Sequence, residues 1–359
     1  MDIINKSNFS SRSLTTVPKY SAGFLNTTPF GNTTVLDITT PTKLVLYVTY
    51  GAILILGIAG NLGILYTLAK RKQPLKKYDI YVISLLVADL LSAIFLPMVS
   101  VQDYLTDGKE WYLLGRFGCK VFVPMNHLTM MVSTFMMVII AVSRLRVLSR
   151  TTTVSHYRIS AVWKIIVVWS IATASVAPYC NALNIDRNDN SCYDKWSSKE
   201  IKFAYYASHQ IIASFLPGIT LAIVYGISIY KLKRMKIPGE NKRSFLRRKQ
   251  MNKSMMLMFG SIAVIFFILT LPYTIAFSIV AIQQIYNNPV YTSNKAVYQR
   301  IIEGLYALSA CSAAVNPFVY AYMHKDIKRK MTRKASQFSS LMRSSIHKGP
   351  RIITTQTEN

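Results

Sequence analysis

The chain is short of acid. Among its 359 residues only 15 are Asp or Glu, against 42 Lys or Arg, and all charged residues together make up 16%. A soluble domain carries about a quarter charged residues, so this composition does not suit a surface bathed in water on every side. Cysteine is scarce too: Cys119, Cys180, Cys192 and Cys311 are the full set, with no CxxC pair and no Cys/His cluster. A zinc site of the usual spacing and a dense disulfide scaffold are thereby excluded, and at most two bridges can form. No nucleophile-base pair or metal-ligand set stands out, so no enzyme is expected. The stretch before about Lys43 lacks the charged segment and short apolar core of a cleavable signal peptide, which leaves the first long apolar run to direct the chain into a membrane.

What the chain has in quantity is apolar. Hydrophobic residues are 51% and aromatics 12%, which argues against a disordered basic protein, and the apolar runs are too long for a basic domain that binds nucleic acid. A helix crossing a bilayer needs about 20 mostly apolar residues. Seven stretches qualify, at roughly 44–69, 80–102, 121–147, 160–182, 203–230, 256–284 and 298–323. In lipid every backbone polar group must be satisfied within its own segment, so these are helices, with kinks at Pro97, Pro178, Pro217, Pro272 and Pro317. The seventh opens on Tyr298-Gln299-Arg300-Ile301-Ile302-Glu303, as suits a helix whose first turns face a water-filled mouth. The expected fold is an all-α membrane protein: a seven-transmembrane helix bundle over 44–323, preceded by an N-terminal segment, 1–43. A short amphipathic helix on the membrane surface follows at 324–335, with Ile327 and Met331 one turn apart, and then a disordered tail, 336–359.

Orientation follows from the basic residues. With the N-terminus outside, the segments 70–77, 144–164, 231–253 and the tail from His324 face the cytoplasm and hold 29 Lys and Arg, leaving 13 on the other side. Positive charge collects on the cytoplasmic side of spanning helices, so the N-terminus is placed outside and the C-terminus inside. Acids run the other way, four inside and ten outside, with Asp89 alone deep in a span. Asn5, Asn8, Asn26 and Asn32 each head an Asn-x-Ser/Thr tripeptide in the outer segment, where glycosylation is expected.

Several spaced residues fall one to a helix: Gly60-Asn61 in the first, Leu85-Leu86-Val87-Ala88-Asp89 in the second, Trp169 in the fourth, Pro217 with Tyr225 in the fifth, and Phe266 with Pro272-Tyr273 in the sixth. Trp111 and Gly115 precede Cys119, and the seventh helix ends in Asn316-Pro317-Phe318-Val319-Tyr320. In this order they resemble the rhodopsin-like (class A) family of G-protein-coupled receptors, over roughly 44–335, and among its members the peptide receptors. The resemblance implies a plasma-membrane receptor for an extracellular ligand, most of all a neuropeptide, that activates a heterotrimeric G protein. It implies a Cys119–Cys192 disulfide pinning the outer loop over the bundle mouth. Cys180 and Cys311 are read as buried free thiols. The conformational switch and transducer contacts are carried by Arg144, Tyr225, Phe266, Pro272, Pro317 and Tyr320, with arrestin a further partner at the Ser-rich tail and anionic lipid against the basic loops. Nucleic acid is not expected as a partner.

Asp89 has two readings. One is a protonated carboxyl hydrogen-bonded within the bundle; the other, implied by the resemblance, is a sodium and water pocket formed with Ser133, Ser312 and Asn316, whose oxygens suit a hard cation. No other cofactor is expected. Two departures from the family pattern stand out. The Asp-Arg-Tyr triplet is Ser143-Arg144-Leu145, so Arg144 lacks its charge-assisted partner, and Cys-Trp-x-Pro is Leu269-Thr270-Leu271-Pro272. Weak restraint of Arg144 and raised basal signalling are expected, unless apolar packing alone holds the resting state.

For the ligand, Asn126 stands where amine receptors have Asp, and Ala310 where opsins have the retinal Lys. Pro97 and the outer-loop acids Asp186, Asp189, Asp194 and Glu200 look like a peptide receptor, and favour basic peptides. Spacing turns Gln102, Asn126, Met130, His209, Gln210, Tyr273, Gln283, Glu303 and Tyr306 toward the mouth, as ligand contacts or interhelical packing. Glu303 is the strongest of them, a carboxylate for a cationic ligand group unless Arg300 satisfies it. Alternatives in kind are a seven-helix decoy or chaperone that does not couple, and a receptor for a non-peptide small molecule. A transporter would need paired intramembrane charges or an inverted repeat.

Overall fold

The computed structural model describes residues 40–72, 74–75, 77–105, 115–149, 159–186, 191–235, 242–286 and 289–323. The glycosylation candidates Asn5, Asn8, Asn26 and Asn32, the Gln102 side chain, the proposed amphipathic helix and the tail lie outside the described residues. The helices are α1 (Thr40–Ala69), α2 (Lys77–Leu105), α3 (Gly115–Ser149), α4 (Ile159–Ala182), α5 (Lys199–Gln210), α6 (Leu216–Arg234), α7 (Lys242–Ile285), α8 (Pro289–Ser293) and α9 (Lys295–Met323). A π-turn at Ile211–Phe215 joins α5 to α6 in one continuous rod. Among the described residues the one addition to an all-helical bundle is a hairpin, β1 (Leu183–Ile185) and β2 (Cys192–Asp194). Its strands run antiparallel with Ile185 opposite Cys192.

Six of these rods are long and apolar enough to cross a membrane: α1, α2, α3, α4, α5 with α6, and α7. The seventh, α9, is 29 residues long but more polar, carrying Arg300 and Glu303 near its start, and it packs against α1, α2 and α7. The rods outrun the apolar segments expected of them. In α6 and α7 the surplus is Lys231, Lys233 and Arg234 at one end and residues 242–255 at the other; long basic side chains favour helix and can leave the apolar zone for water. Pro124, absent from the expected kinks, sits buried inside α3.

The bundle is apolar outside and partly polar within. Val48, Ile55, Trp163, Ile171, Ile219, Ile223 and Ile268 are exposed, while Asn61, Asp89, Asn126, Ser133 and Asn316 are buried. Between them lies a core built on α3, with Met131, Met136 and Ile140 against Leu85, Phe259, Ile262 and Phe266. Trp169 of α4 donates from Nε1 to Ser84 Oγ of α2 at 3.1 Å.

The contact of α1 with α9 shows how a polar residue serves the fold. Pro317 has no N–H, so the Ala313 carbonyl four residues earlier loses its usual partner. Asn61 Nδ2 donates to that carbonyl at 3.1 Å, and to Gly57 O at 2.8 Å. Gly60, without a side chain, lets α1 come this close to α9, and Gly57 lets it come close to α2. A Cβ on Gly57 would stand 2.5 Å from Ala93 Cβ, and one on Gly60 2.7 Å from Pro317 Cγ, whereas Gly63 faces open space. We therefore expect Gly57→Ala and Gly60→Ala each to cost about 1–3 kcal/mol by overpacking and to lower the melting temperature of the detergent-solubilised protein. Gly63→Ala, which gains helix propensity, leaves it unchanged or higher.

Candidate functional site

One end of the bundle is organised by a covalent bond. Cys119, in the second turn of α3, is disulfide-bonded to Cys192 on β2, with Cα atoms 5.7 Å apart and both residues fully buried. Cys180 and Cys311 are free and half-buried. The hairpin is further tied to α5 through Asp194, which accepts from Trp196 Nε1 at 2.6 Å, Lys202 Nζ at 2.8 Å and Tyr206 Oη at 3.1 Å. Asp194 is thus satisfied internally, and Asp186 is buried. The open acidic patch expected of this loop is not presented: of Asp186, Asp194 and Glu200 only Glu200 is exposed, and Asp189 lies outside the described residues.

Beneath the hairpin lies a cavity lined from α3, the α5–α6 rod, α7 and α9. It is narrow, about 40 Å³, room for a few waters or one small side chain. Of the residues turned to the mouth by spacing, the structure gathers Asn126, Met130, His209, Gln210, Tyr273 and Tyr306 around it. Asn126 Nδ2 faces Tyr306 Oη at 3.4 Å, bridging α3 to α9, and the Tyr306 ring lies 5.1 Å from that of Tyr273. Gln283 and Glu303 do not line it. Each keeps a buried Oε1 without a hydrogen-bond partner, and Arg300 is exposed and forms no ion pair with Glu303.

His127 was not anticipated. Its ring meets His209 edge to face at 5.4 Å and Tyr179 at 5.1 Å, and His209 Nδ1 is buried without a partner. The signal was available, since His127, Met130 and Thr134 share one face of α3 at spacings of three and four, but His127 reads in isolation as a span residue beside Asn126. Thr134, Phe266 and Thr270 also line the cavity. Thr270, where the family pattern has an aromatic, turns its hydroxyl back to Phe266 O at 2.8 Å. Phe266 touches both cavity and core, and so couples the two.

Halfway along the bundle Asp89 is 3% exposed. Ser133 Oγ of α3 donates to Oδ1 at 2.8 Å and Asn316 Nδ2 of α9 to Oδ2 at 2.9 Å. Ser312 is buried one turn before Asn316 but is not among the donors to Asp89. The Asn61 amide nitrogen donates to the carbonyls described above, not to Asp89.

At the far end, α3 brings Arg144 between two rings: its guanidinium carbon lies 4.3 Å from the centre of Tyr78 and 5.9 Å from that of Phe259. Nε and Nη2 are buried and have no hydrogen-bond partner. A desolvated cation on an aromatic face gains about 2 kcal/mol, so Arg144 is held without an acid. Ser143 supplies no acid here, and the restraint on Arg144 comes from these ring faces. Phe259 lies 6.4 Å from the ring of Tyr320, and Tyr225 packs over Gly260 next to it. Pro272 and Pro317 are both interior to their helices, α7 and α9.

Seven packed rods, a disulfide-bound hairpin over a cavity at one end and a half-buried arginine at the other define a seven-helix membrane receptor fold. The family model for 7 transmembrane receptors of the rhodopsin family matches residues 60–320, and the chain belongs to that family: it is a multi-pass membrane protein, a G-protein-coupled receptor and not an enzyme. It is 24% identical to galanin receptor type 1 of Mus musculus over 289 residues, 79% of each chain. It is 26% identical to neuropeptide Y receptor type 1 of Xenopus laevis over 304 residues, 81% of this chain and 80% of the relative. With neuropeptides B/W receptor type 1 of Mus musculus it shares 21% over 310 residues, 84% and 89% of the two chains.

Asp194 gives the site its first test. Asp194→Ala leaves three donors without their acceptor, a loss of about 3 kcal/mol for a charged, largely buried group. Hydrogen exchange should show residues 183–194 losing protection and the melting temperature falling, while Glu200→Ala, at an exposed carboxylate, changes neither.

Proposed function

We propose that the chain is a plasma-membrane receptor that takes a neuropeptide at its disulfide end and activates a heterotrimeric G protein at its Arg144 end. The observation that carries the ligand class is the agreement of the relatives, which are named for galanin, neuropeptide Y and neuropeptides B/W. The narrow cavity supports it: one side chain or terminus of a peptide enters, and the rest lies across the hairpin and helix ends. An oxidising exterior is where a Cys119–Cys192 bond persists, which agrees with the basic-residue count in putting this end outside the cell. The basic segment Lys231–Lys253 then faces the cytoplasm, where anionic lipid and a transducer both meet positive charge; arrestin is a further candidate partner at the Ser-rich tail.

Glu303 carries the specificity. It is 7% exposed, and its Oε1 is buried without a hydrogen-bond partner; an unsatisfied buried carboxylate oxygen is costly, and a cationic group of the peptide that reaches it recovers that cost. In cells reporting several G-protein pathways, basic neuropeptides should elicit a response that Arg144→Ala abolishes. Glu303→Gln should weaken peptides bearing Lys or Arg by about tenfold or more, the usual loss at a charged hydrogen bond, and spare peptides without them. Silence of every peptide in every pathway would sink the reading.

The residues around Asp89 fit a sodium ion: one carboxylate, the Ser133 and Ser312 hydroxyls, and Asn316 Oδ1, which is buried without a partner. All are hard oxygen donors. These four residues would hold the cation, which neutralises the carboxylate in the apolar interior. Sodium chloride should then raise the melting temperature of the purified receptor above that in choline chloride, and Asp89→Asn should remove the difference.

A further inference from the structure

We propose that Tyr78 is the positioning residue for Arg144: its ring holds the guanidinium in place of an acid and so sets how readily Arg144 is released to a partner protein. The inference rests on the coupling reading above for its consequence, but its geometry stands by itself. Ser143 beside Arg144 is neutral, and the acid that acts on Arg144 through space, Asp79, has its ion pair with Arg71. Two guanidinium nitrogens are buried with their donors unused. A cation in that position is retained only if something negative faces it, and the nearer face is Tyr78, at 4.3 Å, in the first turn of α2.

The helix turn that carries Tyr78 is itself tied down. Asp79, fully buried, accepts from Arg71 Nη1 at 3.3 Å and 3.5 Å. Arg71 follows the end of α1, so the support runs from α1 through α2 to α3. On its other side Arg144 meets Phe259 of α7 at 5.9 Å, and Phe259 meets Tyr320 of α9. The arginine thus bridges α2 to α7 through α3. A partner that hydrogen-bonds Nε or Nη2 must first draw Arg144 off these rings, and α7 loses its tie to α2 when it does. The Asp79–Arg71 pair thus ties the first turn of α2, where Tyr78 stands, to the end of α1.

The test uses the full-length receptor in lipid nanodiscs, with Cys180 and Cys311 replaced by Ser. An environment-sensitive fluorophore is attached at Met251→Cys, an exposed position on α7. Tyr78→Ala should shift the probe emission and raise ligand-independent nucleotide exchange on added G protein by about tenfold, the release of a desolvated cation from a ring. Tyr78→Phe keeps the ring and should match the parent in both readouts. Ser143→Asp added to Tyr78→Ala supplies an acid and should restore both. If Tyr78→Ala folds poorly, Tyr78→Leu keeps the bulk without the π face and should show the same shift. Parent-like emission in folded Tyr78→Ala and Tyr78→Leu would overturn the proposal, as would Tyr78→Phe behaving like Tyr78→Ala. An emission shift that Ser143→Asp reverses, with no Arg144-dependent exchange in any variant, upholds the positioning role and removes the coupling reading instead.

Discussion

A carboxyl group far from water must find donors or be lost, and Asp89 finds one for each oxygen, on two different helices. Ser133 brings α3 and Asn316 brings α9, so the three helices that line the middle of the bundle converge on one side chain of α2. In lipid, where the apolar drive to bring helices together is weak, such polar contacts and close packing of small residues decide which faces meet. Asn61 acts by the same rule a turn away, turning the broken hydrogen bond at Pro317 into a contact between α1 and α9. The cavity above and the arginine below depend on this belt, because both are assembled from helices whose mutual rotation it fixes.

The two ends of the bundle solve opposite problems. At the disulfide end the hairpin uses Asp194 to gather a tryptophan, a lysine and a tyrosine, fixing an acid that a free loop would offer to ligands. At the other end an arginine without an acid beside it in sequence is accommodated by ring faces. Between them Phe266 reaches both the cavity and the α3 core. A change of occupancy above thus has a packed route downward with no charge carried along it.

The seven rods were legible in the sequence because a span in lipid leaves a long apolar run, and the seventh, which opens on Arg300 and Glu303, is the one whose outer turns are polar. Asp89, Ser133 and Asn316 were legible because a carboxylate in an apolar run is rare enough to demand partners. The cavity was half legible. Asn126, Met130, His209 and Tyr306 follow from helical spacing, but Glu303 and Gln283 share that spacing and stand away from it, since a face of a helix is about 100° wide and a narrow cavity uses only part of it. Tyr78 was not legible at all. It lies 66 residues before Arg144, and nothing in the spacing of two distant helices marks which aromatic ring meets which cation. The hairpin was equally hidden, since three-residue strands leave no periodicity to read.

The π-turn at Ile211–Phe215 has the effect of a phase correction. Eight residues separate His209, which faces the cavity, from Pro217, which is buried in the bundle. At about 100° per residue an unbroken α-helix would leave these two about 80° out of line, whereas one residue absorbed by a wider turn brings them to within about 20°. The upper and lower halves of the fifth rod thus keep a common inward face although the sequence is one position out of step. A single deletion inside that turn would leave plain α-helix with seven steps between the two and keep the inward face, whereas rewinding all eight residues as α-helix would swing the cavity wall toward lipid.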